Sequence, residues 1–187
     1  MDALQHYLAN TLKQQRSLRG WSLSHAAQIT GVSKAMLGQI ERAESSPTIA
    51  TLWKIATGFN LPFSLFIEPV AADDDRAPRR ESLLPGYSPA GNGMQIVSLF
   101  PFDAELRFEM LVIELAPGAL SESAAHEKGV IEHVIVLEGA LELVVDGQVQ
   151  RLGRGEALRF QADCVHSYHN VGNEKVRFHD LIHYPRR

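Results

Sequence analysis

The chain is short of cysteine, of aromatic residues and of long apolar runs, and each shortage removes a class of protein. One cysteine in 187 residues, Cys164, can make no internal disulfide, so packing alone must hold the fold, as suits a reducing compartment. No segment approaches the roughly 20 apolar residues that span a bilayer, and the amino-terminal MDALQHYLANTLKQQR has no uninterrupted apolar stretch for a signal peptide. A cytoplasmic protein without a membrane partner is the expectation. Hydrophobic residues make up 45% and aromatic ones 7%, enough for two modest cores rather than one large one. Strong charge of one sign is missing as well, the net value being −4. Residues 1–67, however, carry six Lys/Arg against three Asp/Glu, and the remainder twelve against nineteen. A mildly basic module can dock on phosphates while an acidic one stays clear of them.

What the chain does hold is most specific between Gly20 and Pro47, GWSLSHAAQITGVSKAMLGQIERAESSP. Leu23 and Ala27, one helical turn apart, predict a short helix that buries them together. Gly31 can adopt the left-handed conformation of a sharp helix end, and Val32 plugs the turn. Ser33 is placed to cap a second helix in which Leu37 and Ile40 share the buried face. Lys34, Ala35, Gln39 and Arg42 are then turned outward, with Ser33 at the tip, and a polar tip of this kind suits a DNA major groove. Trp21 and Trp53 fall where they would pack the helical core, Trp53 with Ile49, Leu52 and Ala56.

This order resembles the helix-turn-helix domain of the XRE (phage-repressor-like) regulators from about Leu8 to Ile67, through GVSKAMLGQIER, SPT, the apolar helix TIATLWKIATGFN and PFSLFI. The resemblance implies an all-α DNA-binding domain over 1–68. Its partner would be double-stranded DNA, read by a homodimer on an inverted repeat with one recognition helix per half-site. Lys34 and Gln39 are then the base readers, since lysine donates to guanine acceptors and glutamine pairs both edge atoms of adenine. Ser33 and Arg42 would hold phosphates.

Residues 69–93, PVAADDDRAPRRESLLPGYSPAGNG, have no apolar period and read as a linker, with Asp73 to Asp75, Arg76, Arg79 and Arg80 as solvated charges. From Met94 the pattern changes to short apolar runs between Gly, Asp and Asn: MQIVSLF, RFEMLVIEL, VIEHVIVLEG, ALELVVDG, QVQRL, EALRF and KVRFHDLIHY. Period-two alternation at Leu141, Leu143 and Val145, closed by Asp146-Gly147, predicts a hairpin. Runs apolar on both parities, such as LVIEL, suit a sandwich or small barrel.

Within this half stand Pro117-Gly118, His126-x-Lys128-x3-Glu132-x6-Gly139 and Gly155-x5-Gln161-x-Asp163-x2-His166-x3-Asn170. They resemble the paired motifs of the cupin family over about Gln95 to Tyr184, which implies an all-β jelly roll over 94–187. Carried over by position, His126, Glu132 and His166 would ligate a divalent metal (Zn, Fe, Mn or Ni) and leave coordination positions open. The family's second histidine is replaced by Lys128, which cannot ligate while protonated but suits a carboxylate-bearing small-molecule effector or a neighbouring Glu132. Gln161 and Asp163 stand where the family has Pro and Gly. His133 neighbours Glu132, so on a strand it faces the other way. His169, His179 and His183 read as core or surface residues, and Cys164 as a buried thiol.

The order of the two modules resembles bacterial transcription regulators whose cupin half senses a metabolite. RGWSLS, TGVSKAMLGQIER, ESSPT, LWKIATG, HEKGVIEH and LIHYPR look like the sulfur-utilisation regulator type. The resemblance implies a regulator with no catalytic residue. The alternatives are a metal-dependent cupin enzyme fused to a DNA-binding domain, and a cupin that serves only as a dimerisation module.

Overall fold

In the computed structural model the described residues are 3–68, 87–88 and 93–186. Most of the linker segment, with Arg79 and Arg80, lies outside them. Among the described residues five helices come first: α1 (Ala3–Leu18), α2 (Leu23–Thr30), α3 (Lys34–Glu41), α4 (Ile49–Phe59) and α5 (Ser64–Ile67). Nine strands follow: β1 (Met94–Asp103), β2 (Phe108–Leu115), β3 (Leu120–Ser123), β4 (Ile131–Glu138), β5 (Ala140–Val145), β6 (Gln148–Gly153), β7 (Ala157–Gln161), β8 (His166–His169) and β9 (Val176–His183). The architecture is the expected helical region followed by a β-sandwich.

The helix-turn-helix forms for the reasons its sequence suggests. Gly31 ends α2 at φ 68°, in the left-handed region. Val32 is buried behind it, and the Ser33 hydroxyl accepts from Met36 N–H at 3.2 Å to cap α3. Leu37 and Ile40 anchor α3 to the core. The buried stripe of α2 differs from the expected one: Ala26 and Thr30 are buried, while Leu23 and Ala27 are half-buried. Thr30 is pulled inward because its hydroxyl donates to Ala26 O (2.8 Å) and accepts from Val32 N–H (3.2 Å), tying the helix end to the turn. It also meets Gly58 of α4, where a Cβ would stand 2.8 Å from the Thr30 Cα, so only glycine permits this helix crossing. Helix α4 itself begins at a Thr48 cap (3.1 Å to Thr51 N–H) and ends at Asn60 in the left-handed conformation.

The strands form a five-stranded sheet in the order β1-β2-β9-β4-β7 and a four-stranded sheet in the order β3-β8-β5-β6, with antiparallel neighbours throughout. The β5–β6 turn places Asp146 at φ 47° and Gly147 at φ 75°, the pair of positive values an Asp-Gly hairpin turn needs. Two strands, β3 and β8, have no counterpart among the apolar runs. Their inward residues are Ser121, Ser123, His166 and Tyr168, so their alternation is one of burial rather than of hydrophobicity.

Buried apolar side chains of the two halves join into one cluster running from Leu8 through Trp53, Phe63 and Phe66 to Ile96, Leu111 and Phe178. Helix α4 is therefore buried on nearly every side, with helices on one flank and the sandwich on the other. Tyr87 ties the two further, pairing its backbone with Ile96 and donating its hydroxyl to Pro47 O.

Candidate functional site

Helix α3 carries the DNA-reading candidates. Ser33, Lys34, Ala35, Gln39 and Arg42 are all exposed, and α3 packs chiefly on α1 and α2. The base of the helix is fixed from behind by Arg16, whose guanidinium grips Glu41 through two bonds (2.6 and 2.8 Å) and also donates to Trp21 O. Arg42 forms an exposed pair with Glu44 at 2.7–2.8 Å. An exposed pair of this sort is weak enough to be exchanged for a phosphate.

The second site lies where the sandwich meets α4. His126, on the loop after β3, is held by its own N–H bonding to Ala162 O (2.9 Å). Glu132 comes from β4 and His166 from β8, one from each sheet. Glu132 Oε1 stands 3.0 Å from His126 Nε2 and 3.4 Å from His166 Nε2, and the three candidate ligand atoms lie within 4.8 Å of one another. The side chains are 7%, 1% and 1% exposed for His126, Glu132 and His166. The triad that the cupin resemblance implies is thus brought together.

Burial alone would push the Glu132 carboxyl upward, but hydrogen bonds and positive charge from His126 and His166 outweigh it and hold Glu132 well below the usual carboxylate range. Burial likewise lowers His166, and the bond to Glu132 outweighs it, so His166 is raised. The second Glu132 oxygen accepts from the Tyr168 hydroxyl.

Each imidazole keeps Nε2 toward Glu132 while Nδ1 meets a separate partner: Cys164 O at 2.9 Å for His166, and the Thr57 hydroxyl at 3.3 Å for His126. Donors around one ion bonded at about 2.0–2.2 Å stand about 3–3.5 Å apart. Both Glu132–imidazole separations fall in that range, and two imidazoles with a carboxylate are a donor set that suits a divalent metal.

Other candidates lie elsewhere. Lys128 is exposed on the turn after His126, not among the buried triad. His133, His179 and His183 belong to the opposite parity from Glu132 and Asp180 and are half-buried on the outer face of the five-stranded sheet. His169 approaches Glu142 at 3.8 Å. Cys164 is half-buried rather than buried, and burial raises its thiol, so no stabilised thiolate is present.

Several contributors carry at most a weak signature in the sequence. Trp53 packs on Phe63 (4.4 Å between ring centroids) but also sets its edge to His126 (5.9 Å), so it belongs to the site and not only to the helical core. Asp180 is buried in β9, and burial, with the charges of Glu132 and Glu109, pushes its carboxyl far up. Glu109 is fully buried in β2, accepts from Phe63 N–H (3.0 Å) and Ser64 N–H (2.8 Å), and takes the Tyr184 hydroxyl. The one available signal was an acidic residue at an inward position of an apolar strand, as in RFEMLVIEL and FHDLIH.

Comparison with known proteins agrees with both halves. Residues 12–66 match the helix-turn-helix family model, and residues 111–182 match the cupin domain model. Over 187 residues the chain is 57% identical to the HTH-type transcriptional regulator SutR of Escherichia coli (strain K12), covering all of this chain and 99% of that protein. It is 26% identical over 161 residues to the HTH-type transcriptional regulator PuuR of the same organism, covering 86% and 85% of the two chains. A crystal structure of a helix-turn-helix family transcriptional regulator from Vibrio cholerae superposes with a TM-score of 0.82 at 44% identity, covering 98% of each chain. The curated relatives are regulators rather than enzymes, which sets aside the fused-enzyme alternative. With a helix-turn-helix at one end, a cupin sandwich at the other and a SutR-like sequence along its whole length, the chain belongs to the XRE-type DNA-binding transcriptional regulators with a C-terminal cupin domain.

Proposed function

We propose that this cytoplasmic regulator binds an inverted-repeat operator as a homodimer and that its cupin domain senses a small molecule through a metal held by His126, Glu132 and His166. The observation that carries the reading is the buried, tightly spaced triad in contact with the DNA-binding half. In the reading helix, Lys34 and Gln39 contact base edges, Ser33 and Arg42 contact phosphates, and Ala35 packs against the groove wall. The domain division is 1–68, 69–93 and 94–187.

When bound, the metal supplies open coordination positions to a ligand. The chain's own residues do the rest: Glu132 stays ionised against two imidazoles, and Nδ1 partners fix both rings. The effector bears a carboxylate, for which Lys128, exposed on the turn two residues after His126, offers a countercharge. Resemblance to the sulfur-utilisation type makes sulfur metabolites the first class to screen. An effector shifts DNA affinity only if it binds the DNA-competent arrangement and its alternative unequally.

The test is metal analysis by native mass spectrometry on wild-type protein and His166→Ala, followed by operator titration with and without the metal and the metabolite panel. One metal per chain lost in the variant, with operator affinity changed by a pocket ligand, is the expected result. Operator affinity unchanged by every ligand that binds would leave the cupin as a dimerisation module.

A further inference from the structure

His126 and His166 are matched as ligands but differ in what holds them. His166 finds its Nδ1 partner in its own domain, the Cys164 carbonyl at 2.9 Å, two residues away on the same loop and strand. His126 finds its partner in the DNA-binding half, at Thr57 Oγ1, 3.3 Å away and 69 positions earlier in the chain. Trp53, one helical turn before Thr57, covers the same imidazole at 5.9 Å, with the ring planes at 66°. Beside them Asn60, just after α4, donates to Glu127, the neighbour of His126. Three successive points along the end of α4 thus converge on one loop of the sandwich.

A ligating imidazole needs a partner on its other nitrogen to fix its tautomer and orientation, and losing such a partner commonly costs about 10–100-fold in metal affinity. A threonine hydroxyl can accept from Nδ1–H when Nε2 ligates, and can donate to Nδ1 when Nε2–H bonds Glu132. We propose that the metal site is completed by the DNA-binding domain: Thr57 orients His126 and Trp53 roofs it, so metal occupancy and the docking of α4 on the sandwich are thermodynamically linked. This rests on the reading of His126, Glu132 and His166 as a metal site. By linkage, whatever the docked α4 adds to metal affinity the metal returns to docking. Because α4 packs on α2 through Gly58 and Thr30, and α2 packs on α3, the element so held is the support of the reading helix.

The experiment titrates Zn²⁺ into the full-length protein against a chromophoric chelator, for wild type, Thr57→Val, Thr57→Ser and His166→Ala. Amide exchange over residues 49–59 is followed with and without Zn²⁺. Thr57→Val keeps the side-chain shape but removes the hydroxyl, and should weaken Zn²⁺ binding about tenfold or more. Thr57→Ser should restore affinity to near wild type. Zn²⁺ should slow exchange in α4 of the wild type, and less so in Thr57→Val. A Thr57→Val protein that binds Zn²⁺ as tightly as wild type, or α4 exchange indifferent to Zn²⁺ in the wild type, overturns the coupling. Loss of Zn²⁺ in His166→Ala alone leaves the triad standing and removes only this proposal. A wild type that binds no better than His166→Ala removes the triad reading and the coupling with it.

Discussion

The polar edge of α3 and the polar floor of the sandwich invite comparison, because similar side chains behave oppositely in them. On α3, Ser33, Lys34, Gln39 and Arg42 face solvent; among the described residues Ser33 makes a helix cap and Arg42 an exposed ion pair. In the sandwich, Glu109, Glu132, Asp180 and Tyr168 are at most 5% exposed; Glu109, Glu132 and Tyr168 bond to one another, to backbone or to the triad imidazoles, while Asp180 Oδ1 has no hydrogen-bond partner among the described residues. An exposed polar edge is free to engage an external partner, and replacing one of its residues costs the fold little. A buried one is satisfied from within wherever it is satisfied at all, so Glu109, Glu132 and Tyr168 are also structural members.

The sharpest way to break the contrast is to remove Glu109, which satisfies two backbone N–H groups at the start of α5 as well as the Tyr184 hydroxyl. Glu109→Ala leaves those donors buried, and the expected loss of unfolding free energy is about 3 kcal/mol. Denaturant titration of the full chain measures it, and a variant within 0.5 kcal/mol of wild type, roughly the scale of a neutral surface change, would mean that solvent reaches the gap.

Gln39→Ala is the counterpart on the exposed edge. Stability should hold within about 0.5 kcal/mol, while discrimination at one operator base pair should relax by roughly 1–3 kcal/mol. Arg42→Ala should instead weaken binding to operator and random DNA alike. Equal losses on both DNAs for Gln39→Ala would remove it from the base readers. Ser33→Ala sits between the two cases, since its hydroxyl caps α3: about 1 kcal/mol of stability should be lost, together with the phosphate contact proposed for it.

The same contrast decides what the sequence could show. The helix-turn-helix was legible because its signals are local: Gly31 at the turn, Ser33 as cap, and Leu37 with Ile40 as a stripe. The triad was legible only through the resemblance to the cupin motifs, whose ligand positions His126, Glu132 and His166 match. Strands β3 and β8 were not, because the residues they turn inward are serine, histidine and tyrosine, which erases the apolar alternation where the site is built. Thr57 and Trp53 were hidden for another reason. Their partner lies some 70 positions away in a different domain, and a tryptophan that packs a helix core has the same local pattern as one that also roofs a histidine.

The smallest effect concerns the sign of a pH dependence. In metal-free protein Glu132 is held below its ordinary value of 4.5, so its contribution to stability is present above that value and is lost as pH falls through the lowered one. His166 is raised from 6.5, so its contribution is complete below 6.5 and is lost as pH rises through the raised value. Metal-free stability should therefore be greatest between these two limits and decline on the alkaline side. Metal ligation requires neutral imidazoles, so binding must expel any proton on His166, and the stabilisation it brings grows with pH over that same interval. Thermal unfolding from pH 6 upward, in chelator and in excess Zn²⁺, should give slopes of opposite sign, and His166→Ala should flatten both. Parallel slopes would mean that His166 does not exchange its proton for the metal.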